Sequence, residues 1–198
     1  MGWNFKKYFC LVTLIYVIVF LLSIFVFPQL FGNMHEEISA DQLRINSINI
    51  TPMSAFSKLI VLNVVVSFLI LFSGALGTEL FPITILAYNA FSFGEVIARI
   101  NKPDTINMMY SFLPHTTIEI PTIIFCTTFA CCYALKIQKL TGNEGIKGVL
   151  SYKGSVTMVI LKRLIRPYLL YILPLIIIGC IIESTISLYI MRAIFNGV

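Results

Sequence analysis

The sequence predicts an all-α fold, a polytopic transmembrane helical bundle of about five helices within a range of four to six. Three observations carry this. Charged residues make up 12% of the 198 positions, about half the ~25% of a soluble domain, against 58% hydrophobic. Mean hydropathy is +0.92. The charges are clustered, with long uncharged apolar runs between them. A chain this size can bury one core in water, but not this many apolar runs. A membrane β-barrel would show short alternating segments, and these runs are continuous. The whole chain, 1–198, reads as one integral membrane domain with the lipid bilayer as its first partner.

The first helix is expected at 8–27, "YFCLVTLIYVIVFLLSIFVF", behind Lys6 and Lys7. A signal peptide has a shorter apolar core and a small-residue cleavage site, whereas "FPQLFGN" follows here. An uncleaved helix with a cytoplasmic N-terminus is the reading. Residues 28–57 form a polar, net acidic stretch that suits an outer loop. Within it, "MHEEISADQLRI" could make a short surface helix, and "NSINITP" should break it. Asn49-Ile50-Thr51 matches a glycosylation acceptor, a pattern common by chance.

From Leu59 to Ile97 the chain is apolar for about two crossings. "SGALGTE" supplies the break, where Gly74 and Gly77 permit a tight turn and Pro82 suits a first helical turn. Helices at 59–75 and 79–98 follow. "RINKPD" reads as a short outer loop with Pro103 as its stop signal. Pro114 is placed to start the fourth helix, 114–135. The basic loop 136–166 comes next, with an interfacial helix expected over 155–166. A fifth helix spans 167–190, with Pro174 inside it.

Seven of the fourteen basic residues lie between Lys136 and Arg166. That placement suits a cytoplasmic loop facing anionic lipid and accounts for the net charge of +5. Arg99, Lys102 and Arg192 on the outer side run mildly against it. No aromatic-basic interleaving accompanies the charge, so no nucleic acid is expected as a partner. The five cysteines sit in apolar stretches without CxxC or Cys/His spacing and read as small buried hydrophobes. With no H-E-x-x-H, G-x-S-x-G or Walker A pattern, no catalytic residue, metal or cofactor is expected.

Four carboxylates sit in or at the ends of the spans: Glu79, Glu95, Glu119 and Glu183. A charge at mid-bilayer costs roughly 2.5–3.5 kcal/mol on insertion scales, so such groups usually face the bundle interior. Glu79 and Glu95 lie near helix ends, within reach of headgroups or water. Glu183 lies deep in the fifth helix. His115 and Glu119 are four apart and so share one face of the fourth. Two readings stand open for the cluster His115, Glu119 and Glu183. It is a hydrogen-bonded clamp between helices four and five, or it lines a proton or substrate path. Asn63, Gly74, Gly77, Asn89 and Gly94 read as helix-packing positions.

These residues together resemble the stage II sporulation protein M family. That family carries a proline-histidine-glycine…glutamate…proline signature opening an apolar helix. Here the stretch is Pro114, His115, Thr116, Thr117, Ile118, Glu119, Ile120, Pro121. Asn63, Gly74, Gly77, Asn89, Ala90 and Gly94 match upstream family segments, and "GCIIESTIS" around Glu183 matches a later one. The resemblance spans about residues 58–190. Thr116 and Ala90 stand where the family pattern has glycine, which implies looser backbone contact at both points.

The resemblance implies a non-enzymatic membrane subunit in a bacterial cell membrane. One family branch implies production of, or immunity to, circular bacteriocins, with an ATP-binding-cassette ATPase as separate partner. The leading expectation is therefore peptide export or self-protection. Lys153, Lys162, Arg163 and Arg166 would dock the ATPase, and a homo-oligomer or second membrane subunit would complete the path. A second branch implies a scaffold recruiting cell-wall remodelling enzymes during engulfment. The intramembrane carboxylates leave a third reading, a proton-coupled small-solute transporter.

Overall fold

Five helices long and apolar enough to cross a bilayer make up the computed structural model, which describes residues 2–31, 51–99, 102–140 and 162–196. Every regular element among the described residues is helical. The helices are α1 (Gly2–Phe25), the short α2 (Phe27–Phe31), α3 (Pro52–Ala75), α4 (Leu80–Arg99) and α5 (Lys102–Leu140). The last, α6, runs over residues 162–196.

The first helix starts earlier than the expected 8–27. Its extra turns are held by aromatic packing on α5, with Phe5 at 5.2 Å from Phe129 and Phe9 at 5.3 Å from Phe125. The expected outer loop 28–57 is shorter at both ends. Residues 28–31 belong to α2, and α3 begins at Pro52. The "NSINITP" stretch expected to break structure ends in a helix start. Thr51 Oγ1 accepts from Ser54 N at 3.2 Å, and Pro52 stands where its missing N–H costs nothing. The acidic surface segment and Asn49 lie outside the described residues. Replacing Thr51 with alanine should destabilise the protein by about 1 kcal/mol, read as a lower Tm in detergent.

The turn between α3 and α4 falls where the glycines place it. Gly77 has φ 75°, and its carbonyl accepts from Gln138 Nε2 at 3.0 Å. Leu76 N donates to Phe72 O and Gly77 N to Gly74 O, both at 3.1 Å, which closes the end of α3. Helix α4 matches the expected 79–98 almost residue for residue.

The largest departure is α5. It does not start at Pro114 but runs unbroken from Lys102 through Pro114 and Pro121 to Leu140. Pro103, expected as a stop, sits in its first turn, the one place a helix tolerates proline freely. Each interior proline deletes one helical hydrogen bond, which neighbouring helices can offset inside a membrane. The span 116–139 is the most buried of the five, with over half its most apolar window covered. It packs against α1, α3, α4 and α6, and so forms the hub of the bundle.

Residues 136–140, expected in the basic loop, continue α5, because Ile137 is buried and Gln138 is bonded to the α3–α4 turn. Residues 162–166 likewise open α6 instead of an interfacial helix. Lys147, Lys153 and the loop glycines lie outside the described residues. Within α6, π-helical turns occupy Tyr168–Ile172 and Glu183–Ser187. The first precedes Pro174, which has no N–H to give the α-helical ladder. The second follows Ile181, whose carbonyl accepts from both Ser184 Oγ and Thr185 Oγ1, and such back-bonding bends helices.

Candidate functional site

Two helix pairs approach closely enough to set the bundle's shape. A Cβ on Gly74 would stand 2.6 Å from both Cα and O of Ala130, so α3 and α5 meet backbone to backbone. A Cβ on Gly94 would stand 2.9 Å from the Phe20 carbonyl oxygen and from Ser23 Cβ, which presses α4 onto α1. Phe20 and Phe93 stack at 5.5 Å beside that contact. Gly74 and Gly94 are thus packing residues for a stated steric reason, and Gly77 is a turn residue.

From the Gly74–Ala130 contact, a rise of ~1.5 Å per residue puts Asn63 and Glu119 each about 16 Å along their helices. Asn63 is half-way along α3, and Glu119 is near the middle of α5. There the helices part around a cavity of about 230 Å³. Its polar lining comes from Asn63 and Ser67 of α3, Asn89 and Ser92 of α4, and Glu119 and Thr122 of α5. Ile176 and Gly179 of α6 close one wall. A second cavity of about 190 Å³ adjoins it, also lined by Asn89, Ser92 and Glu119 and completed by Tyr16 of α1. Glu119 therefore lines both spaces.

Polar contacts organise the rim. Asn63 Nδ2 donates to Cys180 Sγ at 3.7 Å, and Cys126 Sγ donates to the Ser67 carbonyl at 3.3 Å. Ser67 Oγ and Tyr168 Oη are hydrogen bonded at 3.2 Å across α3 and α6. Glu119 and Glu183 both lie close enough to the Cys180 thiol to act on it electrostatically. Glu183 opens the second π turn, and such turns recur at functional sites.

The backbone of His115 lies in α5 one turn before Glu119. Its side chain, and with it the proposed His115–Glu119 clamp, lies outside the described residues. Pro114 and Pro121 flank the turn that carries Glu119 but start no helix. Lys162, Arg163 and Arg166 are exposed at the start of α6, and Lys153 lies outside the described residues. Among the described residues no group of three His, Cys, Asp or Glu side chains is placed to hold a metal ion.

Sequence reasoning missed Tyr16, Ser67, Ser92 and Tyr168. Serines in apolar helices usually bond their own backbone, so Ser92 carries no pattern of its own. A tyrosine hydroxyl within an apolar run is a signal, because it needs a polar partner once buried. Glu79 also proved specific, since it accepts from Tyr8 Oη at 3.2 Å and ties the start of α1 to that of α4.

No curated protein and no solved structure matches the chain. The family model described as stage II sporulation protein M matches residues 9–188, which takes in α1 as well as the stretch from Asn63 to Glu183. With most of its length covered by that match, this five-span helical chain belongs to the stage II sporulation protein M family.

Proposed function

We propose that the protein is the membrane subunit of a peptide export or self-protection system in a bacterial cell membrane, driven by a separate ATP-binding-cassette ATPase. One observation carries the reading. Lys6, Lys7, Lys136, Lys139, Lys162, Arg163 and Arg166 are all exposed at one end of the bundle. Tyr8–Glu79 and Phe5–Phe129 gather the start of α1 to that end, and Lys136 Nζ sits 5.7 Å over the Tyr133 ring beside it. Lys58, Arg192 and the helix ends that carry Arg99 and Lys102 lie toward the opposite end. This bias argues for a cytoplasmic N-terminus and basic rim. Such a rim suits an acidic surface on a soluble partner.

The two spaces that Glu119 lines are smaller than the ~300–1,000 Å³ of ordinary ligand pockets, which argues against a peptide passing there through a single copy. The cargo would move along an interface with a second copy or another membrane subunit. The small cavity around Glu119 then serves the moving parts, not the cargo's bulk.

The test is purification in mild detergent from the native membrane, with mass spectrometry of what accompanies the chain. A stoichiometric ATPase is expected. It should be lost when Lys162, Arg163 and Arg166 are each changed to glutamate, with the variant still folded and monodisperse. Retention of the ATPase by that variant would sink the docking role. Cell-wall enzymes in place of an ATPase would instead assign the protein to the scaffold reading.

A further inference from the structure

We propose that Tyr88 is the centre of a two-fold interface between copies of this chain, in which the Tyr88 side chain of each copy enters the mid-span cavity of the other. The proposal deepens the reading that a second copy completes the path, and it does not depend on the ATPase.

Three neighbouring side chains of α4 carry the argument. Tyr88, Asn89 and Ser92 lie at the middle of the span Leu80–Ala98. Among the described residues none of the three side chains makes a hydrogen bond. In hydrocarbon no water supplies the missing partner, and polar side chains within spans bond across helices instead. Tyr88 is the sharpest case. Tyrosines collect at the two membrane interfaces, as Tyr189 does at the end of the α6 span. Tyr88 is just as exposed, at 71%, but stands at mid-depth. A phenol held there on the outside of its own bundle points to a protein neighbour.

The same face holds the recess that such a group needs. The cavity of about 230 Å³ opens sideways at Leu62, Tyr88 and Leu175, all exposed. Helices α4 and α6 both line it and yet make no substantial contact with one another. A core cavity of ~150 Å³ takes up benzene, so a phenol ring fits. The mostly apolar lining suits the ring, and the Asn89 amide and Ser92 hydroxyl suit its hydroxyl. Symmetry then selects the occupant. Copies inserted under the same charge bias share one orientation, so a two-fold axis between them lies along the membrane normal and preserves depth. Tyr88 lines the mouth of its own cavity and therefore stands at the depth of the cavity in the second copy. A patch with a protruding group and a fitting recess at one depth is self-complementary, which an isologous pair requires and a different partner does not.

The experiment is photo-crosslinking of the full chain in its membrane, with Tyr88→p-benzoylphenylalanine and two differently tagged copies expressed together. An adduct at twice the 22.3 kDa of one chain is expected, carrying both tags. Its crosslinked peptide should come from the cavity lining, near Asn63, Asn89 or Leu175 of the second copy. The same probe at Val17, which is exposed at mid-span on α1, should give no such adduct. Adducts with lipid alone, with a different protein, or equally from both positions would overturn the pairing. A second measurement uses the dimer dissociation constant in detergent. An interhelical hydrogen bond in a membrane is worth about threefold, and a symmetric pair contains each bond twice. Tyr88→Phe should therefore weaken the dimer nearly tenfold without lowering the monomer's helicity, and an unchanged constant would overturn the exchange of Tyr88. Loss of the ATPase with the adduct retained would sink the docking reading alone, and loss of the adduct with the ATPase retained would sink this pairing alone.

Discussion

Replacing Gly74 with alanine is expected to destabilise the protein by about 3 kcal/mol, the upper end of what overpacking usually costs, and to cut the yield of folded chain sharply. The new methyl would fall 2.6 Å from the Ala130 Cα and carbonyl oxygen. These are backbone atoms of the hub helix and cannot rotate aside, so α3 must move away from α5 as a body. For a chain of this size the loss corresponds to a Tm lower by roughly 6–12 °C in detergent. Two controls sharpen the test. Gly179→Ala should change stability by less than ~0.5 kcal/mol, because its Cβ would meet the Ile118 Cγ2 atom at an ordinary 3.6 Å. Adding Ala130→Gly to Gly74→Ala should not restore stability, since the closest clashing atoms are backbone. A normal Tm in Gly74→Ala would show that the helices are not in contact at this point.

Replacing Glu119 with glutamine is expected to leave the bundle assembled and to abolish the proposed export or self-protection phenotype, with a loss of at least tenfold. Glutamine keeps the shape and hydrogen-bonding reach of the side chain while removing its carboxylate. The variant should elute as wild type and keep the Ser67–Tyr168 link between α3 and α6. Phenotype and assembly measured on the same strain separate the two meanings of the residue. If activity survives while Tm falls, Glu119 belongs to a structural clamp. If activity is lost with assembly intact, it belongs to the working part of the molecule.

How far the sequence alone reaches can be traced through particular residues. Membrane class and five crossings follow from apolar runs too long to hide in water, a property of composition along the chain. The α3–α4 turn was legible because Gly74 and Gly77 mark it locally. Pro114 misled as a helix start, because a proline weakens a helix without ending one when neighbouring helices hold it straight. Thr51-Pro52 misled in the opposite sense, since residues that break a helix in its interior are those that begin one.

By itself the sequence determined the lipid-facing character of the chain, its polarised charge and the cost of Glu119 and Glu183 in a span. All three depend only on which residues lie near one another along the chain. Tertiary structure alone decided that Glu119 joins Asn89, Ser92 and Tyr16 around adjoining cavities, and that Gly74 and Gly94 are contact points between helix backbones. Those facts depend on helix rotation and register across distant segments. Many interior faces satisfy the same apolar pattern, and close fits such as Gly74 on Ala130 and Gly94 on Ser23, with the interhelical hydrogen bonds, select one of them.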